Sequence, residues 1–230
     1  MHALVRTLGI EAPVHLDQGD GLLASRSRSD RVASVAVPDI TQLILDDHDW
    51  FRREFAALDD LQAQAPVDPE ALAKRWSPLA ARLDVHAIAE EEIFYPQLLV
   101  HGDDAEDETL DAIGDHNDIR DGVHAAARHP VGSDPWWEAV GRARVANDDH
   151  MGEEEREGLA DFRRNASPGL REALGQQFAD FLDRHESTRG LDTGDKDPER
   201  YVRDIEREIH PPDDGSVADG SLGIGSLKER

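Results

Sequence analysis

Arg82-Leu83-Asp84-Val85-His86-Ala87-Ile88-Ala89-Glu90-Glu91-Glu92-Ile93-Phe94-Tyr95-Pro96 is the stretch on which the fold is decided. Four helical steps of about 100° bring a chain back to nearly the same direction. The ladder Leu72, Trp76, Leu79, Leu83, His86, Glu90, Phe94 climbs by fours and threes, so His86 and Glu90 are predicted to point where the leucines point. An unpaired ionised carboxylate in such an interior costs several kcal/mol or is driven to protonate. A cation that receives both side chains removes the penalty, and the pattern therefore predicts a metal.

One His-x-x-x-Glu spacing is weak support by itself. With 11 histidines and 19 glutamates in 230 residues, chance supplies about one. The chain holds two, His86 to Glu90 and His150 to Glu154, each followed at once by further acids. His48 and His116 each stand alone in the apolar stripe of another predicted helix. The order is thus His, HxxxE, His, HxxxE, one feature per helix, and the two halves of the pattern resemble each other. Glu91, Glu92, Glu153 and Glu155 fall out of step with the core and read as a solvated acidic face.

Outward from that stretch, residues 1–37 show no sustained period and are expected to form an irregular arm. Pro38-Asp39 opens the first helix, with Asp39 as N-cap, Gln42 in the capping-box place, and a stripe of Ile40, Ile44, His48, Phe51, Phe55 and Leu58. The second helix starts at Asp68-Pro69-Glu70, a cap with proline at the first helical position. Within it Pro78 predicts a kink, or a restart capped by Ser77. A third helix over about 106–128 is weakened by Gly114 and Gly122 and buries Leu110, Ile113, His116, Ile119 and Val123. The fourth opens at Ser133-Asp134-Pro135 and carries Trp137, Val140, His150 and Glu154 to an end near Asn165.

Four such helices with short polar connections predict an all-α fold, an up-down-up-down four-helix bundle over residues 38–165. A C-terminal helical extension over 166–210 is expected to pack on it. Its first helix is capped by Ser167-Pro168 and uses Leu170, Leu174, Phe178, Phe181 and Leu182; its second starts at Asp197-Pro198 and uses Val202, Ile205 and Ile209. The tail, 211–230, is rich in Gly, Ser and Asp and is expected to be disordered.

A formal charge of −25 argues against nucleic acid, whose phosphates call for clustered Lys and Arg. With no cysteine there is no disulfide, no thiolate ligand and no iron–sulfur cluster. No apolar run of 18 residues exists, and no basic segment precedes an apolar one at the N-terminus, so neither a membrane partner nor a signal peptide is expected and the protein is read as cytoplasmic.

Two ions held inside a bundle require nitrogen ligands at terminal positions and carboxylates that can span between them. His48, His86, Glu90, His116, His150 and Glu154 meet that need, with Glu90 and Glu154 bridging and two histidines to each ion. Six protein ligands leave room for a bridging oxygen species and a small exogenous ligand. A ferritin-type site needs Glu-x-x-His twice and a zincin protease needs HExxH; neither spacing occurs. Imidazole with carboxylate suits iron, then manganese.

His48, then His86-x-x-x-Glu90 leading into Glu91-Glu92-Ile93-Phe94-Tyr95-Pro96, then Asp115-His116-Asn117-Asp118-Ile119-Arg120, then His150-x-x-x-Glu154-Glu155 together resemble the hemerythrin-like (HHE cation-binding) family, over roughly residues 38–165. The resemblance implies two iron ions, an oxo- or hydroxo-bridged pair held by the same six residues, that meet O2, hydrogen peroxide or nitric oxide. Respiratory hemerythrins place a second histidine on the third helix, four residues after the first; Arg120 stands there in this chain. Water, Tyr95 or an acid such as Glu91 could take the vacant place. Four histidines in place of five favour peroxide or NO chemistry, catalase-like or NO-consuming, over O2 transport. The alternative is a module that senses O2, NO or iron, or only binds metal, without turnover. No residue is assigned as proton donor.

Overall fold

The computed structural model describes residues 39–211, so the irregular arm expected over 1–37 and, save for Pro211, the disordered tail expected over 211–230 lie outside the described residues. Every regular element among the described residues is helical: α1 (Ile40–Gln62), α2 (Pro69–Ala89), a π-helical turn (Glu90–Phe94), α3 (Tyr95–His101), α4 (Ala105–Ala126), α5 (Asp134–Arg156), α6 (Gly158–Asn165), α7 (Pro168–Arg184) and α8 (Pro198–Ile209). None of these is long and apolar enough to cross a membrane.

Short polar side chains start the helices by receiving backbone N–H groups that have no partner inside the first turn. Asp39 accepts from Thr41 N at 3.0 Å, Asp68 from Glu70 N at 2.9 Å, and Asp197 from Arg200 N at 2.8 Å. Gln42 does not close a capping box; its amide reaches forward to Asp46 instead. Ser133 takes the N-cap position of α5 but turns its hydroxyl back to the Pro130 carbonyl.

Two expected interruptions differ in outcome. Pro78 lies inside an unbroken α2, and no restart occurs at Ser77. The fourth helix, expected to run to about Asn165, breaks at Glu157 (φ −114°, ψ −81°) into α5 and α6. The weakening expected of Gly122 has a counterpart in packing. A Cβ there would sit 2.6 Å from the backbone nitrogen of Ala143, so the bare backbone is what allows α4 and α5 to approach closely.

Apolar side chains gather into two clusters. One holds Ile40, Ile44, Val85, Ile88, Phe94, Tyr95, Ile113, Leu159 and Phe162, and is joined by Leu174, Phe178 and Phe181 of α7. The other holds Phe51, Phe55, Leu58, Leu72, Trp76, Leu79, Ile119, Val123, Trp136 and Met151. Along α1 and α4 the chain passes from the first cluster to the second, along α2 it passes from the second to the first, and α5 lies against the second before α6 enters the first. His48, His86 and His116 stand near the three crossings, and His150 stands near the end of α5. Helix α7 packs against α1, α2 and the π-turn, and α8 against α4 and α3. This cover buries the last turns of α2 all round, from Leu83 to Ala89.

Candidate metal centre

Between the apolar clusters, α1, α2 with the π-turn that follows it, α4 and α5 bring His48, His86, Glu90, His116, His150 and Glu154 together, each no more than 3 % exposed. His86 Nε2 lies 2.9 Å from Glu90 Oε1, His116 Nε2 lies 3.3 Å from Glu90 Oε2, and His48 Nε2 lies 3.3 Å from Glu154 Oε2. Donor atoms of His48, His86 and Glu90 fall within 4.8 Å of one another, and so do those of Glu90, His116 and His150. Glu90 is the member shared by the two groups. Glu154 belongs to neither, but faces His48 across the same space.

Beyond the inward ring, a carboxylate stands behind each imidazole. His86 Nδ1 donates to Asp47 at 2.9 Å, His116 Nδ1 to Glu91 at 2.9 Å, and His48 Nδ1 to Glu155 at 3.0 Å. Behind His150, Asp115 stands off at 3.7 Å, the distance of an ion pair more than of a hydrogen bond. An ionised carboxylate can only accept, so Nδ1 holds its proton and Nε2 is the nitrogen that can offer a lone pair to the interior once no second proton is on the ring. Such backing fixes both ring orientation and tautomer in metal-binding histidines.

The inward atoms fit a cation and lack any other partner. His48 Nε2, His86 Nε2, both oxygens of Glu90 and Glu154 Oε2 are buried without a hydrogen bond, although several lie within contact distance of each other. His116 Nε2 and His150 Nε2 face each other at 3.2 Å. Two lone pairs that close repel unless a proton or a cation lies between them.

Without an ion, protons are the cations at hand. Burial disfavours the His86 imidazolium, but the charge of Glu90 and the bond to Asp47 outweigh it and raise its pKa to about 9. His150, under the same penalty of burial, is raised to about 10 by Asp115, Glu90 and Glu154. Glu90, though burial pushes it upward, is held well below the usual carboxylate range by His86 and its neighbours. Each ion entering this space would displace protons.

Phe51 and Phe178 set their rings edge-on to His86 at centroid distances of 5.1 and 5.9 Å, and Tyr95 lies 5.8 Å from His116. Tyr95 Oη donates to Glu154 Oε1 at 3.1 Å. Burial and the charge of Glu154 push the Tyr95 phenol well above its ordinary value, so it stays a neutral donor.

Two acids assigned above to a solvated face are bound into the structure. Glu91 is 2 % exposed, and besides His116 it receives Arg120 Nη2 at 2.6 Å and Lys196 Nζ. Glu155 receives Arg52 at 2.8 Å as well as His48. Glu91 lies in the π-turn, where the altered register buries it behind His116. Its carboxylate is thus turned from the inner space, and Arg120, fully buried, turns its guanidinium to it. The outer carboxylates were missed by periodicity, but one signal marks them. Asp47, Glu91, Asp115 and Glu155 each sit one residue from an inward side chain, and one helical step of about 100° aims them at the neighbouring helix.

The sequence profile described as hemerythrin HHE cation binding domain matches residues 39–162, more than half of the chain and the whole of this centre. No curated protein and no solved structure matches the chain.

Proposed function

The chain belongs to the hemerythrin HHE cation-binding family, and on that premise we propose that it is a non-haem di-iron protein that meets hydrogen peroxide or nitric oxide, ahead of one that carries O2. The observation that supports this most directly is the convergence of four unpartnered or mutually facing imidazole Nε2 atoms on two carboxylates, with carboxylates turned to the outer nitrogens. On this reading His48 and His86 serve one iron and His116 and His150 the other. Glu90 lies between them and Glu154 reaches in from α5; manganese is the alternative ion. The alternating order in which α1, α2, α4 and the α5–α6 run pass between the two apolar clusters supports an up-down-up-down bundle, and the protein is taken as cytoplasmic.

When bound, an iron pair supplies Lewis acidity and electrons for peroxide reduction or NO capture. The chain supplies the rest. The imidazoles of His48, His86 and His116 are oriented before any ion arrives, because their outer nitrogens are already committed. Tyr95 fixes which Glu154 oxygen faces inward. Phe51, Phe178 and Tyr95 limit water. Arg120, engaged with Glu91, adds no ligand in the place of a fifth histidine, so a coordination position is left for a small molecule.

Iron-loaded protein is expected to evolve oxygen from peroxide or to consume NO, and His86→Ala to lose both together with iron. Loaded protein that binds NO or O2 reversibly without turnover would favour the second reading, a sensing module, which draws support from the contact of Glu91 with the C-terminal segment. Loaded protein inert to all three would sink both.

A further inference from the structure

The segment after α7 lies beyond the residues matched by the family profile, yet it closes a ring of contacts behind His116. Lys196, one of three lysines in the chain, sends Nζ to Glu91 Oε2. Its backbone is held at two points by Asn117: Asn117 Nδ2 donates to the Lys196 carbonyl at 2.7 Å, and the Lys196 N–H donates to Asn117 Oδ1 at 2.9 Å. Asn117 follows His116 in the chain, and His116 Nδ1 donates to Glu91 Oε1. The circuit runs from His116 to Glu91, Lys196 and Asn117, and returns to His116 through one peptide bond.

Tyr201 of α8 ties the same residue from its backbone. In the π-turn the Tyr95 N–H bonds to the Glu90 carbonyl, one residue further along than in an α-helix. In that register the Glu91 carbonyl would look to residue 96 for its donor, and Pro96 has no N–H. The Tyr201 hydroxyl donates to that carbonyl instead. Among the residues of α8 only Val202 is fully buried, so the grip of this helix on the bundle owes much to the polar contacts at Glu91.

We infer that Lys196 and Tyr201 are positioning residues for the metal centre: Lys196 holds the carboxylate and Tyr201 the backbone carbonyl of Glu91, the residue that orients His116, and so they couple the C-terminal segment to the His116/His150 half of the site. The inference rests on the site reading given above. Coupling of this kind is reciprocal, so filling that half also tightens the hold on α8.

The test uses the full chain carrying Lys196→Met and Tyr201→Phe, singly and together, and reads two signals. In metal-free protein, imidazole nitrogen NMR reports which His116 nitrogen bears the proton. Wild type is expected to show the Nδ1–H form and the double variant a mixture of tautomers. In titrations with Co(II), the double variant is expected to bind one ion as wild type does and the second about 10–100-fold more weakly, the usual range for losing an outer partner. Lys196→Arg, which keeps a cation at Glu91, is expected to recover most of that loss. A double variant that keeps both the Nδ1–H form and wild-type affinity for both ions, while hydrogen exchange shows α8 released, would reduce the segment to packing and overturn the inference. Wild type that takes up no pair of ions, with the double variant still showing mixed tautomers, would sink the metal reading and uphold the clasp on His116.

Discussion

The two halves of the centre repeat one another in sequence and differ in what stands behind them. Behind His48 and His86, Glu155 and Asp47 are held by arginines that reach in from solvent, Arg52 at 42 % and Arg82 at 30 % side-chain exposure. Behind His116, Glu91 is enclosed and held by Arg120, which has no exposure at all, and by Lys196. Behind His150 only the distant Asp115 is in place. One inner ring of nitrogens and carboxylates can thus be supported by arginines that reach in from solvent, where ion pairs are weaker and screened by salt, or by a guanidinium with no exposure, which salt screens much less. The support behind a ligand is where two related half-sites are free to diverge.

The largest effect is expected where the halves meet. Glu90→Ala removes the one residue common to both groups, and should lower metal affinity by at least about 100-fold, beyond the range for outer partners, in a chelator-competition titration. Loss of one ion with the other bound normally would show that Glu90 serves a single half.

The arginines separate the halves next. Arg120→Met leaves Glu91 buried with fewer partners and is expected to cost about 3–5 kcal/mol in denaturant unfolding, the usual result of stripping a buried charge of its counterion. Arg82→Met acts on a pair whose guanidinium is partly exposed and whose Asp47 keeps His86 as a partner, and should cost less, about 1 kcal/mol. Equal costs would erase the distinction between buried and surface support. Of similar or smaller size is Asp47→Asn, expected to weaken metal binding about 10–100-fold by freeing the His86 ring, with little change in fold stability.

The smallest difference between the halves lies in their response to pH, because each holds one raised histidine. His86 at about 9 and His150 at about 10 stand above the ordinary imidazole value of about 6.5, so the folded metal-free protein retains protons that the unfolded chain gives up. Their contribution to stability is complete below about pH 6.5 and is lost as pH rises through about 9 to 10. On the acid side, Glu91, penalised by burial yet held at about 2 by His116 and Arg120, and Glu155, held at about 2 by its bond to His48, contribute above about pH 4.5 and lose that contribution as pH falls toward 2. The Tm of metal-free protein should therefore decline between pH 7 and 10 while that of metal-loaded protein stays nearly level. Parallel declines would mean that the ions do not occupy the nitrogens that titrate.

Much of the inner ring was legible because helical period is a strong constraint. His48, His86, His116 and His150 keep step with leucine, isoleucine and phenylalanine, and every one of them is buried where those stripes meet. Local punctuation was legible at Asp39, Asp68, Ser167 and Asp197, whose side chains accept the backbone N–H groups expected of caps. Less was legible where tertiary contact decides. Pro78 is absorbed without a restart, and Thr109 is buried where Leu110 was expected, its hydroxyl bonded to the Ala105 carbonyl at 2.6 Å. The buried role of Glu91 depends on a π-turn that ends at Phe94, two residues before Pro96, and on a lysine 105 residues away, and no single-helix period carries information across that distance.

Metal counting on the full chain bears most directly on the central claim. Metal-free protein titrated anaerobically with Fe(II), freed of loose ions and analysed by mass spectrometry of the metal, should retain two ions per chain, one for each of the two groups that share Glu90. Retention of one ion or none after loading would contradict a paired centre, and would leave the buried histidines as a proton-bridged core.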